Sequence, residues 1–223
     1  MSDEGEGLIF DKGRLETLTD GVFAVIMTIL IFNVSVPQLI LYAEGELTSA
    51  ELTSERLLDR LSELWPDIRA YVVSFVTLSV YWLAHHRIFR WIVDLDRPFI
   101  WINFSFLMTI GLIPFSTGLL AQYRDQQISA LIYSFNSILA GAILFFLYYY
   151  TKGHLELVDK TVNAVIRSRS GRRVLITILT YSVAILTSFT NLSVTLFLFL
   201  LVLIPEFIPD RYFGRVKQYQ SDG

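Results

Sequence analysis

The feature that most limits what this chain can fold into is a set of apolar runs long enough to cross a bilayer. Residues 18–37 read LTDGVFAVIMTILIFNVSVP, which as a helix reaches about 30 Å, the thickness of the hydrocarbon core. No water is available there to pair backbone N–H and C=O groups, so a spanning segment must satisfy them internally, as a helix or a closed barrel. Runs of similar character predict further spans at 66–84, 99–123, 128–150, 174–189 and 192–208. The expected class is an all-α integral membrane protein with six transmembrane helices and no re-entrant pore loop. A hydrophobic share of 53% against 17% charged agrees, since soluble domains carry about 25% charged residues.

The stretches between spans divide the rest. Residues 1–13 form a polar leader, acidic rather than basic, and so without the positive start of a signal peptide. The transmembrane domain occupies 14–209, and a polar tail fills 210–223. The loop at 38–65 is rich in Glu44, Glu46, Glu51, Glu55, Asp59 and Glu63. Its Leu57, Leu58, Leu61, Leu64 and Trp65 recur at helical spacing, which predicts a short interfacial helix. Of 18 Lys and Arg residues, all but Arg56, Arg60, Arg69 and Arg124 lie on one side of a six-span layout. The positive-inside rule puts that side, with both termini, in the cytoplasm of a cell-membrane protein.

Several chemistries are disfavoured outright. Zero cysteines exclude disulfides and thiolate metal sites. His85 and His86 are adjacent, so on a helix they point about 100° apart and do not converge on one ion. No HExxH, GxSxG, GxGxxG or phosphate loop occurs. The expectation is a non-enzyme with no metal site, no cofactor and no nucleic-acid partner, whose partners are the bilayer and copies of itself.

The first span is where function is expected. Asp20 lies within a membrane-length segment, where an ionisable group is costly and marks a functional position. Val25, Thr28, Ile29 and Phe32 share one helical face. That stripe suits two uses, packing against lipid and other helices, or lining a narrow, largely dewetted pore. A potassium-type carbonyl filter of TVGYG sequence is missing. In a pore lined by this helix only side chains and retained water solvate the ion, with Thr28 as the one well-placed hydroxyl.

Arg14, Leu18, Thr19 and Asp20, continuing as GVFA, resemble the first-helix signature R-x-x-x-F-S-D of the transmembrane protein 175 family. The segments YWLAHHRIF and PFSTGLLAQY are similar to bacterial members as well. Leu18 for Phe and Thr19 for Ser depart from the signature while keeping its chemical type. The resemblance implies a homotetrameric, potassium-selective channel whose first helices line the pore. It implies a constriction at Val25, a hydroxyl layer at Thr28 and further apolar rings at Ile29 and Phe32, with K+ passing near Val25 and Thr28. Physical reasoning then makes Arg14, Leu18, Thr19 and Asp20 a structural clasp rather than an ion site. Arg14 is expected to pair across helices or subunits, and Asp20 with His85 or His86. The rival expectation is a secondary transporter for a cation or small solute, with Asp20 as its coupling carboxylate.

Overall fold

The computed structural model describes residues 11–34, 61–123, 125–160 and the single positions 175, 176, 179 and 183. Those four positions are helical and fall within the predicted fifth span. Otherwise the fifth and sixth spans, the leader, the 38–60 loop and the tail lie outside the described residues.

Among the described residues the architecture is all helical. Helix α1 runs Lys12–Ile29 and tightens into a 3-10 turn, Leu30–Asn33. Helix α2 is Trp65–Phe89, α3 is Arg97–Gly111, α4 is Ile113–Gln122 and α5 is Gln127–Gly153, followed by a 3-10 turn Leu155–Leu157. Among the described residues, four units are long and apolar enough to cross a membrane: Lys12–Asn33, Trp65–Phe89, Arg97–Gln122 and Gln127–Gly153. The chain is a multi-pass membrane protein.

The helix limits have local causes. Asp11 caps α1, its carboxylate accepting from Gly13 N at 2.8 Å. Asp96 caps α3 by accepting from Phe99 N at 2.9 Å, with proline in the first turn. The second span continues past the expected 84 to Phe89, because His85, Ile88 and Phe89 are all buried. Residues 61–63 are helical and end in a turn at Leu64, after which Trp65 opens α2; the rest of the expected interfacial helix lies outside the described residues.

The span expected over 99–123 is broken at Leu112 into two helices, with Pro114 in the first turn of the second. The missing turn is mended from outside: Asn136 on α5, with its amide nitrogen toward Thr109 O (3.2 Å), turns its oxygen to Ile113 N (3.2 Å) and Ser116 Oγ (3.2 Å). A polar side chain from a neighbouring helix thus bridges the Ile113 N–H and Thr109 C=O that the break has separated. Of the two glycines in this span, Gly118 meets a close neighbour and Gly111 meets none.

The helices pack around Phe106 of α3. Its ring lies edge-on to Tyr81 of α2 (6.3 Å), tilted against Phe23 of α1 (6.0 Å) and stacked with His85 (5.6 Å). Helices α2 and α5 run parallel, because their contacts advance together: Ser74 and Thr77 meet the Tyr133 hydroxyl, and Tyr81 donates to Ser137 O. At the end of the bundle away from α4, the 90–96 connection is tied to the end of α5. There Asp159 N donates to Trp91 O (2.8 Å), Val93 N donates to Leu157 O (2.9 Å), and the Tyr150 hydroxyl donates to the capping Asp96 (2.6 Å).

Replacing Asn136 with leucine leaves Ile113 N–H and Thr109 C=O without their bridging partner. The expected cost is about 1–2 kcal/mol, read as a lower thermal midpoint in detergent. A variant that melts with the parent would show that the break needs no cap.

Candidate functional site

The signature residues sit at the start of α1, and the structure resolves them into two sets of contacts. One is buried. Thr19 donates its hydroxyl proton to Leu15 O at 2.9 Å and accepts from Asn103 Nδ2 of α3 at 3.2 Å. Asn103 Oδ1 faces His85 Nε2 of α2 at 2.8 Å. Because the Asn103 amide nitrogen is turned to Thr19, its oxygen must accept, so His85 carries its proton on Nε2. The imidazole is held in plane by Phe89 (4.2 Å between centroids) and Phe106. Three helices are thereby joined through four side-chain and backbone groups, in a site without water to compete.

The second set is more exposed. Asp20 accepts from the indole Nε1 of Trp82 at 2.8 Å. The Trp82 ring stacks on His86 (5.5 Å, 19°), and His86 Nδ1 lies 3.8 Å from Glu16 Oε1. The expected pairing of Asp20 with a histidine is therefore corrected. An indole donor reaches the carboxylate with a neutral N–H, while His85 joins the motif one residue earlier, through Asn103 and Thr19. His86 lies beside Glu16 instead, 3.8 Å from its carboxylate. Arg14 is exposed and Leu18 is 48% exposed, and no ion pair of Arg14 occurs among the described residues.

Asn103 and Trp82 are the two participants that sequence reasoning missed. Both left a signal. Asn103 is an amide inside an apolar span, a position that demands a partner. Trp82 lies three and four residues before the histidines, so all three project from neighbouring faces of one helix.

The stripe further along α1 points away from its own subunit. Val25 is 56% exposed, Ile29 43% and Phe32 81%, and Thr28 is exposed with them. Leu15, Thr19, Phe23 and Ile26 make up the opposite, buried face. The Thr28 hydroxyl donates back to its own helix, to Val25 O at 2.8 Å or Ala24 O at 3.1 Å. Its single proton is thereby committed, and its oxygen lone pairs remain available outward. Among the described residues no group of three His, Asp or Glu side chains forms a metal-binding cluster.

These features meet independent likenesses. The family described as endosomal/lysosomal potassium channel TMEM175 matches residues 14–114, which contain the signature residues, the exposed stripe and the Leu112 break. A potassium channel of Streptomyces collinus is 28% identical over 190 residues, covering 83% of this chain and 86% of that one. A potassium channel of Chamaesiphon minutus is 35% identical over 138 residues, 60% of this chain and 63% of that protein. The crystal structure of a lysosomal potassium-selective channel TMEM175 homolog from Chamaesiphon minutus superposes with a TM-score of 0.69 at 25% identity. The match covers 91% of this chain and 95% of that one. The signature at the start of α1, the membrane-length helices and the shared fold agree in making this chain similar to the TMEM175 family and to its bacterial potassium-channel relatives.

Proposed function

We propose that this protein is a potassium channel of the cell membrane, in which four copies place their α1 helices around a common axis. The reading includes six transmembrane helices per copy with both termini cytoplasmic. Its partners are further copies of itself and the bilayer, and no nucleic acid or cofactor takes part.

One observation carries the proposal. Of the four membrane-length units, α1 with its 3-10 turn is 28% buried within its own subunit, whereas the other three are each 50% buried. The face left open is not purely lipid-like. Arg14, Thr17, Gly21, Val25, Thr28 and Phe32 follow one another at spacings of three and four, all exposed. A stripe with a guanidinium, two hydroxyls and a glycine is costly against acyl chains and well suited to a water-filled or protein-lined axis. Potassium as the permeant ion is supported by the relatives, which are named as potassium channels.

The side chains give a mechanism. Backbone carbonyls of α1 are spent on the helix, so an ion at the narrowest level must shed water against apolar groups. Val25 forms that level. One turn on, the Thr28 oxygens face the ion with protons turned inward, offering a weak ring of acceptors. Such a ring compensates the dehydration of K+ better than that of Na+, whose smaller radius holds water more tightly. Ile29 and Phe32 continue the apolar passage outward. Arg14, Leu18, Thr19 and Asp20 hold the helix that carries these rings and do not touch the ion. A transporter reading gains nothing from the geometry: the polar backbone groups at the Leu112 break are bridged by Asn136.

The test is flux from reconstituted vesicles, together with the native mass of the detergent-solubilised protein. Passive, electrogenic K+ flux above Na+ flux, from a four-copy particle, is the expected result. Saturating flux that requires a proton gradient, or a single-copy particle, would overturn it.

Two sets of variants follow. Val25→Gly should raise leak and bring the K+/Na+ permeability ratio toward one, and Thr28→Ala should lower the ratio while the oligomer persists. Unchanged reversal potentials in both would move the constriction elsewhere. Asp20→Ala leaves the Trp82 indole without its acceptor, and Asn103→Ala removes the bridge between Thr19 and His85. Each should cost about 1–3 kcal/mol and appear as loss of the oligomer peak on size exclusion. Variants that elute normally but conduct differently would make the clasp part of the ion path.

A further inference from the structure

The outer end of α1 carries a contact that neither the signature nor the pore stripe accounts for. At Leu30 the helix narrows into the 3-10 turn, and Asn33 closes it. The Asn33 amide nitrogen donates to Pro114 O at 3.1 Å, joining residues 81 positions apart. Its oxygen lies over Gly118, where an added Cβ would stand 2.8 Å away. That is closer than side chains tolerate, so the approach depends on glycine.

Pro114 belongs to the first turn of α4, just past the break at Leu112. The break is held from the far side by Asn136, which grips Ile113 N and Thr109 O. The bracket that receives Asn33 is thus fixed to α3 and α5 as well as α4. Next to Asn33 comes Phe32, at 81% the most exposed large apolar side chain among the described residues. Successive residues of a 3-10 turn project about 120° apart, so fixing the direction of Asn33 fixes that of Phe32. A cavity of about 400 Å³, lined by Phe32, Asn33, Asp67, Pro114, Phe115 and Gly118 among others, adjoins the contact. It gives the turn room to rotate once released.

We propose that Asn33 is a positioning residue for the outer pore: its hydrogen bond to Pro114, made over the bare face of Gly118, sets the angle at which Phe32 meets the ion path. This rests on the reading that α1 lines the pore. Gly118→Ala attacks the contact from the receiving side. Because the atom it strikes is the end of the Asn33 side chain, Asn33 is displaced and α4 stays in place.

The experiment uses the full chain in planar bilayers, with single-channel K+ conductance and the K+/Na+ permeability ratio as readouts. Asn33→Ala and Gly118→Ala should each change conductance by about twofold or more, in the same direction. Combined, they should do no more than either alone, because one contact is lost once. Asn33→Asp, which keeps the shape but loses the donor, should behave as Asn33→Ala does. In a Phe32→Ala background Asn33→Ala should have no further effect. A merely structural contact would instead lower the melting temperature and leave conductance unchanged, and that result overturns the proposal. So does an additive double variant from a conducting parent, which leaves the pore reading intact. A parent without K+ current removes the pore reading and the Asn33 role together.

Discussion

The lipid interior offers polar atoms no water, and the arrangement of these helices depends on that constraint. Each polar side chain buried inside a span must be answered by the protein, so the positions of a few such groups decide how the helices sit. Thr19, Asn103 and His85 answer one another and bring α1, α2 and α3 to a single point. Ser74, Thr77, Thr117 and Tyr133 do the same for α2, α4 and α5. Aliphatic contacts fill the space between these points but cannot choose among rotations of one helix against another, since a leucine is about as well placed against lipid as against a neighbour. Directional bonds make that choice.

Pro114 shows the constraint from the backbone's side. A proline within a membrane helix removes a donor and opens the backbone ladder where no water can repair it. Here the separated Thr109 C=O and Ile113 N–H are bridged by Asn136 from α5, and the Pro114 carbonyl is met by Asn33 from the end of α1. The irregular point becomes the place where three separate elements are registered against one another. Gly118 has its part because it removes the Cβ that would keep Asn33 away.

Much of this was legible before any coordinates, and the boundary of legibility is physical. Apolar length announces a membrane helix directly, so the units beginning at Lys12, Trp65, Arg97 and Gln127 could be read from composition alone. The signature at Arg14 to Asp20 marked the start of α1 as special. What could not be read was pairing. Asp20 and a histidine on the same membrane side looked complementary in charge, yet the carboxylate takes Trp82 and His85 takes Asn103. Rotation about a helix axis decides such matters, and one residue of phase moves a side chain by about 100°. Likewise, a proline within a span signals a bend, but only the neighbouring helix shows how the break before Pro114 is bridged. Gly111 and Gly118 look alike in sequence and differ wholly in what faces them.

The distribution of contacts along α1 has a mechanical consequence. Its first turns are tied by Thr19, Asp20 and Glu16 to α2 and α3, and its last turn by Asn33 to α4. Between them the inward side is secured by Phe23, Ile26 and Leu30, without a single side-chain hydrogen bond to another helix among the described residues. Gly21, with no atom near the place its Cβ would occupy, leaves the exposed side open. A helix fixed at both ends by directional bonds and in the middle by nonpolar packing resists rotation while allowing small lateral adjustment. For the proposed pore, which has no carbonyl ligands, that combination matters. If α1 lines the pore, the angular position of Thr28 sets which atoms an ion meets, and a displacement of a few tenths of an ångström at Val25 changes the width of the passage. On that proposal rotation and width are governed by different contacts in the same helix: the polar ties at its two ends for the first, and the apolar seat between them for the second.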